Sequence, residues 1–593
     1  MAESSQNNFS SRPSQNNVMS VELPILATKH ANGWQDIIVI PLIFGTLFMF
    51  AWAASKMGGK LQPVLDSGVS TDLRHLPEYA LRTTARMMMA LAAAWCFSLI
   101  YAPLAAKYRR AELLLIPALD IMQSVPILSY IAFTFTALLA LFPGRLVGVE
   151  IACIFAIFTS QVWNITFSLY QSLLTVPREM VEAANIFQLN TWQKFWRLEL
   201  PFAMPGLIWN TMLSLSGGWF FVVAAEAVTI SDKHISLPGI GSFIALAITE
   251  RNMTAILSAV LTMFAVIVLY DQLLFRPLVV WAEKFKVEDV PNQSAPRSMV
   301  WDMFRSSRVY QAFGKYAAVS TRIIRRGPKG RAHGFAAKRQ VFSISDRTQD
   351  IVIFSFLGVM AVFLIHRAAW FIGQEVSWAE IGHIFILGIF TAIRVVTMIS
   401  LGLLVWVPLG VWIGLRPNVA AWIQPIAQIF AAFPVNLIYP VVVVAIVTLR
   451  LEPNIWLSFL MIMGTQWYLL FNVVAGTLAF PTDLRDAAKG FGIHGVLWWR
   501  KIILPGIFPY LITGVITAAG GTWNAAIVAE TVQWGGETVT AQGLGSYIAM
   551  ATTGGDYRRV LIGTIIMSLF VVCFNRFVWR RLYRIAEKKL RLG

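Results

Sequence analysis

Two glutamates stand where a membrane-length apolar helix should carry no charge. Glu226 ends the run GGWFFVVAAE and Glu530 ends GGTWNAAIVAE, each seven residues after a tryptophan, Trp219 or Trp523. Seven residues is about two helical turns, so each Trp and Glu share a helix face roughly 10 Å apart. A carboxylate at such a depth costs about 2.5–3.5 kcal/mol on insertion scales. It is therefore expected to face a polar cavity, pair with a base, order its tryptophan, carry a proton or be satisfied by a neighbouring helix. The adjoining glycines, Gly217 with Gly218 and Gly520 with Gly521, admit either close helix contact or a bend. Together these residues are the candidates for the wall of a passage. Arg86 and Arg394, each closing a T-x-x-R at residues 83–86 and 391–394, are candidates for drawing anions inward, or ordinary snorkelling side chains.

A second constellation is polar where its surroundings are not. Residues 180–201, MVEAANIFQLNTWQKFWRLELP, carry Glu182, Ala183, Ala184 and Gln188; residues 484–505, LRDAAKGFGIHGVLWWRKIILP, carry Asp486, Ala487, Ala488 and Gly492 at the matching places. The separation of 304 residues recurs at Pro201 and Pro505, Trp219 and Trp523, and Glu226 and Glu530, and becomes 308 upstream, where Arg86 matches Arg394 and Pro126 matches Pro434. The chain is a tandem duplication. A short helix is predicted in each segment, with Met180, Ala183, Ala184 and Phe187 near one face, and the paired alanines would let a partner backbone approach closely. If the turn that follows demands a left-handed residue, Gln188 costs about 1–2 kcal/mol where the second copy has Gly492.

The elements that must position these residues are membrane spans. The chain is 57% hydrophobic and 13% charged, with a mean hydropathy of +0.64, far from the balance of a soluble domain. Apolar runs near the ~20 residues needed to cross a bilayer recur, and about twelve are expected, six per half. The predicted fold is an all-α polytopic membrane protein of two tandem homologous six-helix halves. Residues 1–35 are expected to form an N-terminal tail, 36–285 the first half, 286–348 a basic linker, 349–585 the second half and 586–593 a basic tail. The net charge of +17 lies in loops, linker and tail, which the positive-inside rule assigns to the cytoplasm together with both termini. That distribution excludes a nucleic-acid-binding face. An even number of spans per copy makes the copies parallel, related by a pseudo-two-fold axis along the membrane normal. No basic, apolar and small-residue succession opens the chain, so no cleaved signal is expected. Cys96, Cys153 and Cys573 all lie in apolar runs and are read as buried thiols rather than disulfides or metal ligands.

The segments EAANIFQ…LELP and DAAKGFG…IILP resemble the cytoplasmic loop of importer permeases of the ATP-binding-cassette superfamily: E-A-A, a glycine four residues beyond the second alanine, then I-x-L-P. The first copy departs from that pattern at Gln188. The runs at Gly217 and Gly520, the G-x-G-S-aromatic segments after them and the T-x-x-R resemble the nitrate, sulfonate, taurine and bicarbonate branch. The resemblance implies that the polar segments are coupling helices docked on two cytoplasmic ATPase subunits, which hold ATP and magnesium. It also implies a periplasmic or lipid-anchored solute-binding protein, a small inorganic or organic anion as cargo and a place in the bacterial inner membrane. The chain carries no G-x-x-x-x-G-K-[ST], H-E-x-x-H or G-x-S-x-G motif, so no catalytic residue, metal or cofactor of its own is expected. Two other readings are a permease of this superfamily for a different solute and an ion-coupled secondary transporter with coupling-ion sites in the membrane. A structural scaffold is a third.

Overall fold

The computed structural model describes residues 69–230, 233–285, 298–307, 346–480, 482–534, 537–579 and 581–582, with scattered residues between 41 and 55. One order of elements runs through it twice. In the first half, α1 (Leu76–Lys107) opens with a proline in its first turn, where a missing N–H is harmless. α2 (Arg109–Ser124) and α3 (Ile127–Leu141) then meet at a bend of 93° beside Pro126, which drives Val125 into an extended conformation. α4 (Leu146–Leu174) leads to the short α5 (Arg178–Ile186), and the long α6 (Thr191–Glu226) returns through a π turn at Phe195–Glu199. A hairpin of β1 (Ala227–Ile230) and β2 (Lys233–Ser236), α7 (Ile240–Thr249) and α8 (Met253–Glu283) complete the half.

α9 (Met299–Ser306) lies within the expected linker, whose last three residues already belong to the helix that opens the second half. The second half repeats the plan: α10 (Asp346–Ile372), α11 (Trp378–Gly414), then α12 (Pro417–Ala432) and α13 (Tyr439–Thr448), bent by 65° beside Pro434. The counterpart of α4 is broken into α14 (Pro453–Met463) and α15 (Gln466–Leu478), bent by 46° at Gly464 and Thr465. α16 (Thr482–Gly490), α17 (Gly495–Ala529), a hairpin of β3 (Thr531–Trp534) and β4 (Glu537–Thr540), α18 (Leu544–Thr553) and α19 (Tyr557–Trp579) follow.

The architecture is all-α and polytopic. Eight described helices are long and apolar enough to cross a membrane, or eleven spans if each bent pair counts as one. Against the expected twelve, the first span falls on residues described only in part, and the N-terminal and C-terminal tails lie outside the described residues. The hairpins are an addition that helical periodicity does not predict; both are antiparallel, pairing Ala227 with Ser236 and Thr531 with Thr540 at their bases. The cysteine expectation needs correction: Cys153 is buried, but Cys96 is exposed and Cys573 intermediate. An apolar run on a membrane protein includes the face that lipid covers.

The halves exchange contacts. The Ile127 N–H of α3 donates to Asn524 Oδ1 of α17 (2.7 Å), Asn436 Nδ2 donates to the Phe220 carbonyl (3.2 Å), and Ser216 of α6 donates to the Ala431 carbonyl. α3 also packs along α19, where Thr136 and Tyr557 share a hydrogen bond of 2.8 Å.

The two short helices α5 and α16 end in the same turn. The Leu189 N–H reaches the Ala184 carbonyl (3.1 Å) and the Gln188 N–H that of Asn185 (2.9 Å); Ile493 to Ala488 (2.9 Å) and Gly492 to Lys489 (3.0 Å) repeat them. This is a Schellman turn, whose penultimate position must be left-handed. Gln188 sits at φ 51° and Gly492 at φ 66°. Gln188→Gly should therefore stabilise the first turn by about 1 kcal/mol, and Gly492→Gln should destabilise the second by a similar amount. Slower and faster amide hydrogen exchange at residues 184–189 and 488–493 respectively would record it, and unchanged exchange in both variants would refute it.

Candidate functional site

The signature residues come together as one buried knot per half. At the end of α6, Glu226 Oε1 accepts from Thr83 Oγ1 (2.7 Å) and Arg86 Nη1 (2.6 Å), and Oε2 accepts from the Gly241 N–H (2.8 Å). Thr83 Oγ1 accepts in turn from the Ile240 N–H (3.0 Å), so the carboxylate and the threonine satisfy orphan donors at the start of α7. Arg86 reaches further, to Glu150 on α4 through Nε (2.6 Å) and Nη2 (2.8 Å), and to the Pro238 carbonyl (3.0 Å). Arg86 and Glu226 are completely buried and Glu150 nearly so.

The second half ties the same knot with one altered strand. Glu530 Oε1 accepts from Thr391 Oγ1 (2.8 Å) and Arg394 Nη1 (3.0 Å), Oε2 accepts from the Ser546 N–H (3.1 Å), and Thr391 Oγ1 accepts from the Leu544 N–H (2.8 Å). Where Arg86 meets Glu150, Arg394 donates to the amide of Asn454 (2.9 Å), which also accepts from the Gln542 N–H (2.9 Å). The first guanidinium thus faces two carboxylates, the second one. The G-x-G spacing follows from close approach. A Cβ on Gly239 or Gly543 would collide with the carboxylate of Glu226 or Glu530, and one on Gly241 or Gly545 with the backbone of Val223 or Ala526. Backbone φ is extended at Gly239 and Gly543, so space rather than left-handed geometry requires glycine there.

Several sequence expectations change accordingly. Arg86 and Arg394 were candidates for admitting anions. Arg86 has no exposed surface and commits its donors to Glu150, Glu226 and Pro238, while Arg394 is held by Glu530 and Asn454. Glu226 and Glu530 turn into their own halves instead of lining a passage. Glu150 and Asn454 were missed; an acid four residues after Leu146 in an otherwise uncharged helix was the available signal.

A cavity of about 350 Å³ lies between the halves. Gly217, Gly520, Gly521 and Trp523 line it, whereas Gly218 and Trp219 do not. A Cβ on Gly218 would strike Met87 Cε (2.6 Å) and Gln161 Nε2 (2.7 Å), which makes it a packing glycine; Gly520 has nothing within 4 Å. Trp219 packs edge-on to Tyr270 at 5.8 Å in a side pocket, and Trp523 stacks on Phe570 at 6.1 Å. The matched tryptophans thus have different surroundings.

At the other end of α6 and α17, some 36 residues from the knots, stand α5 and α16. Glu182, Ala183, Gln188, Asp486, Ala487 and Gly492 are exposed. Ala184 and Ala488, expected on a docking face, are 6% and 2% exposed. They occupy the third-from-last helical position, toward which the residue after a Schellman turn folds back. Outward apolar side chains at matching places of the two turns are instead Phe187 (74% exposed) and Phe491 (82%), with Ile186 beside the first.

The family of binding-protein-dependent transport system inner membrane components matches the chain twice, over residues 87–275 and 406–591. The chain belongs to this family. Its duplication is a duplication of the family domain, and it is a multi-pass membrane protein. Among similar proteins, the bicarbonate transport system permease protein CmpB of Synechococcus elongatus is 25% identical over 186 residues, 31% of this chain and 63% of the relative. CmpB of Synechocystis is 28% identical over 180 residues, 30% of this chain and 59% of the relative. The nitrate import permease protein NrtB of Leptolyngbya laminosa is 24% identical over 172 residues, 29% and 58%. The chain thus spans about three-fifths of the length of these relatives.

For this inner membrane component the knots make a quantitative expectation. Arg86→Gln strands two buried carboxylates and should destabilise the protein by about 3–5 kcal/mol. Arg394→Gln leaves one carboxylate beside a neutral amide and should be milder. Thermal unfolding midpoints in lipid nanodiscs would rank them; a wild-type midpoint for Arg86→Gln would show that the knot does not hold the fold.

Proposed function

We propose that the chain supplies both permease halves of an ATP-driven importer, worked by two separate cytoplasmic ATPase subunits that hold ATP and magnesium. The observation that carries this reading is the pair of exposed phenylalanines, Phe187 and Phe491, on matching turns at one end of the bundle. Each turn leads into α6 or α17, the helices whose glycines line the cavity between the halves. A load applied at either turn therefore acts on a helix that reaches the cavity. In this reading α5 and α16 are coupling helices on the cytoplasmic side, with Glu182, Ala183, Gln188, Asp486, Ala487 and Gly492 at the contact and Ala184 and Ala488 bracing it from within. The hairpins then face outward, toward a solute-binding protein. Alternating access consists of one half rocking against the other around the cavity.

An anion as cargo is supported by the relatives named for bicarbonate and nitrate. An ion-coupled mechanism has less support, because Glu150, Glu226 and Glu530 are held inside the knots and Asp271 of α8 is paired with Arg276 (3.1 Å).

Two measurements test this reading. Burying a phenylalanine is worth about 1.5–3 kcal/mol, so Phe491→Ser should lower co-purification of the ATPase by tenfold or more while the membrane domain elutes unchanged, and Phe187→Ser should act in the same direction. Undiminished ATPase recovery in both would remove these turns from the interface. In the cavity, Gly520→Leu has open space for its side chain and should abolish transport with the ATPase still bound, whereas Gly521→Leu, pressed against Thr465, should lower the yield of folded protein. Wild-type transport by Gly520→Leu would place the passage elsewhere.

A further inference from the structure

The side pocket beside Trp219 and the large cavity contain two versions of one recess. Every residue that α6 and α8 give to the side pocket has its counterpart, 304 positions on, in the wall of the cavity: Trp219 matches Trp523, Tyr270 matches Phe574 and Asp271 matches Asn575. Across from them, α12 of the other half lines the side pocket and Gln123 of α2 lines the cavity. Yet the first recess holds about 30 Å³, enough for about two water molecules, while the second opens into about 350 Å³.

The difference is written in the sequence. Leu215 stands where the second half has Ala519, and Ser216 where it has Gly520. The Ser216 hydroxyl donates to the Ala431 carbonyl of α12, and Gln428 of the same helix donates to the sulfur of Met212, so two contacts between the halves hold α12 against α6. The second half cannot repeat them, because Gly520 has no hydroxyl and Ile516, the counterpart of Met212, no sulfur. A Cβ on Gly520 would meet nothing within 4 Å. At the places matching Gln428 and Ala431, Asp120 and Gln123 instead hydrogen-bond to each other (3.1 Å).

The recesses also differ in charge. Asp271 puts a buried carboxylate, held by Arg276 Nε (3.1 Å), into the first. The second has the amide of Asn575 at that place and no Asp or Glu in its described lining. Asn575 and Trp579 are half-buried, and neither spends its side-chain N–H groups on a partner among the described residues. Tyr468 and the second amide hydrogens of Asn164 and Asn524 are further donors on the same wall. Hydrogen bonds to an ionised acceptor are roughly twice as strong as neutral ones, so these N–H groups favour a compact anion, which the carboxylate of Asp271 would repel.

We infer that the chain has one anion-binding recess, built by the second half around Gly520, Trp523, Asn575 and Trp579, and that its twin in the first half is closed by Leu215 and Ser216 and made hostile to anions by Asp271. This rests on the importer reading and assigns its anion to one half of the fused chain.

The test exchanges features between the twins. The full chain, with its ATPase, is placed in lipid nanodiscs and titrated calorimetrically with nitrate, bicarbonate, methanesulfonate and, as an uncharged planar control, urea. At least one of the anions should bind about tenfold or more tightly than urea. Asn575→Leu, which keeps the volume and removes the amide, should weaken that anion about tenfold, and Gly520→Ser, which supplies the hydroxyl of the closed twin, about fivefold. Asp271→Asn and Ser216→Ala should each weaken it by no more than about twofold. Unfolding midpoints of the variants separate lost binding from lost fold. Urea binding as tightly as every anion overturns the inference, and so does an absence of binding by all three anions. Wild-type affinity in Asn575→Leu and Gly520→Ser overturns it as well, as does a loss in Asp271→Asn equal to that in Asn575→Leu. Loss of the ATPase from the wild-type complex would instead undo the importer reading, and the two failures are read from separate measurements.

Discussion

A carboxylate buried at the end of an apolar helix must find its partners inside the protein, and the rest of this structure is arranged around that demand. Glu226 and Glu530 each draw a threonine, an arginine and the first N–H groups of a short helix into one place. Four elements of each half are thereby pinned at one point: the helix carrying the T-x-x-R, the long helix carrying the glutamate, the G-x-G-S helix, and α4 or α14 through Glu150 or Asn454. Breaking such a cluster at one member leaves an uncompensated charge, which is why it specifies geometry more strongly than its net contribution to stability suggests. The glycines of G-x-G-S follow from this, since only a residue without Cβ lets the backbone come close enough to donate.

Because the ionic groups are drawn into the knots, the space between the halves is left to neutral chemistry. The fixed end of each long helix is held by charge, while its middle meets the other half through carbonyls, amides, hydroxyls and ring faces. Contacts of that kind are individually weak and replaceable. The same helix is thus rigid at one end and exchangeable at the cavity, as a rocking motion between halves requires.

The helical plan, the duplication and the motif residues were legible because each rests on local spacing. What the motifs do to one another was not. Arg86 and Glu226 are 140 residues apart, and no periodicity connects them. Glu150 went unnoticed because a lone acid near the start of an apolar helix looks like an end residue. Ala184 and Ala488 were read as an outward face from helical spacing alone, yet the turn that follows folds over them, while the requirement for a left-handed residue at Gln188 and Gly492 could be read from the glycine itself. The hairpins escaped notice because strands of four residues are too short to show an alternating pattern against an apolar background.

The covalent joining of the halves has a consequence for how the molecule can change over generations. In a symmetric dimer of identical chains, any substitution is made twice, and a replacement tolerable in one knot must be tolerable in both. Here the two knots are inherited as separate positions of one gene product. Glu150 could become, or descend from, the amide now seen as Asn454 without the other knot being altered, and Gln188 could settle where its twin kept Gly492. Fusion therefore lets each half change without imposing the same change on the other.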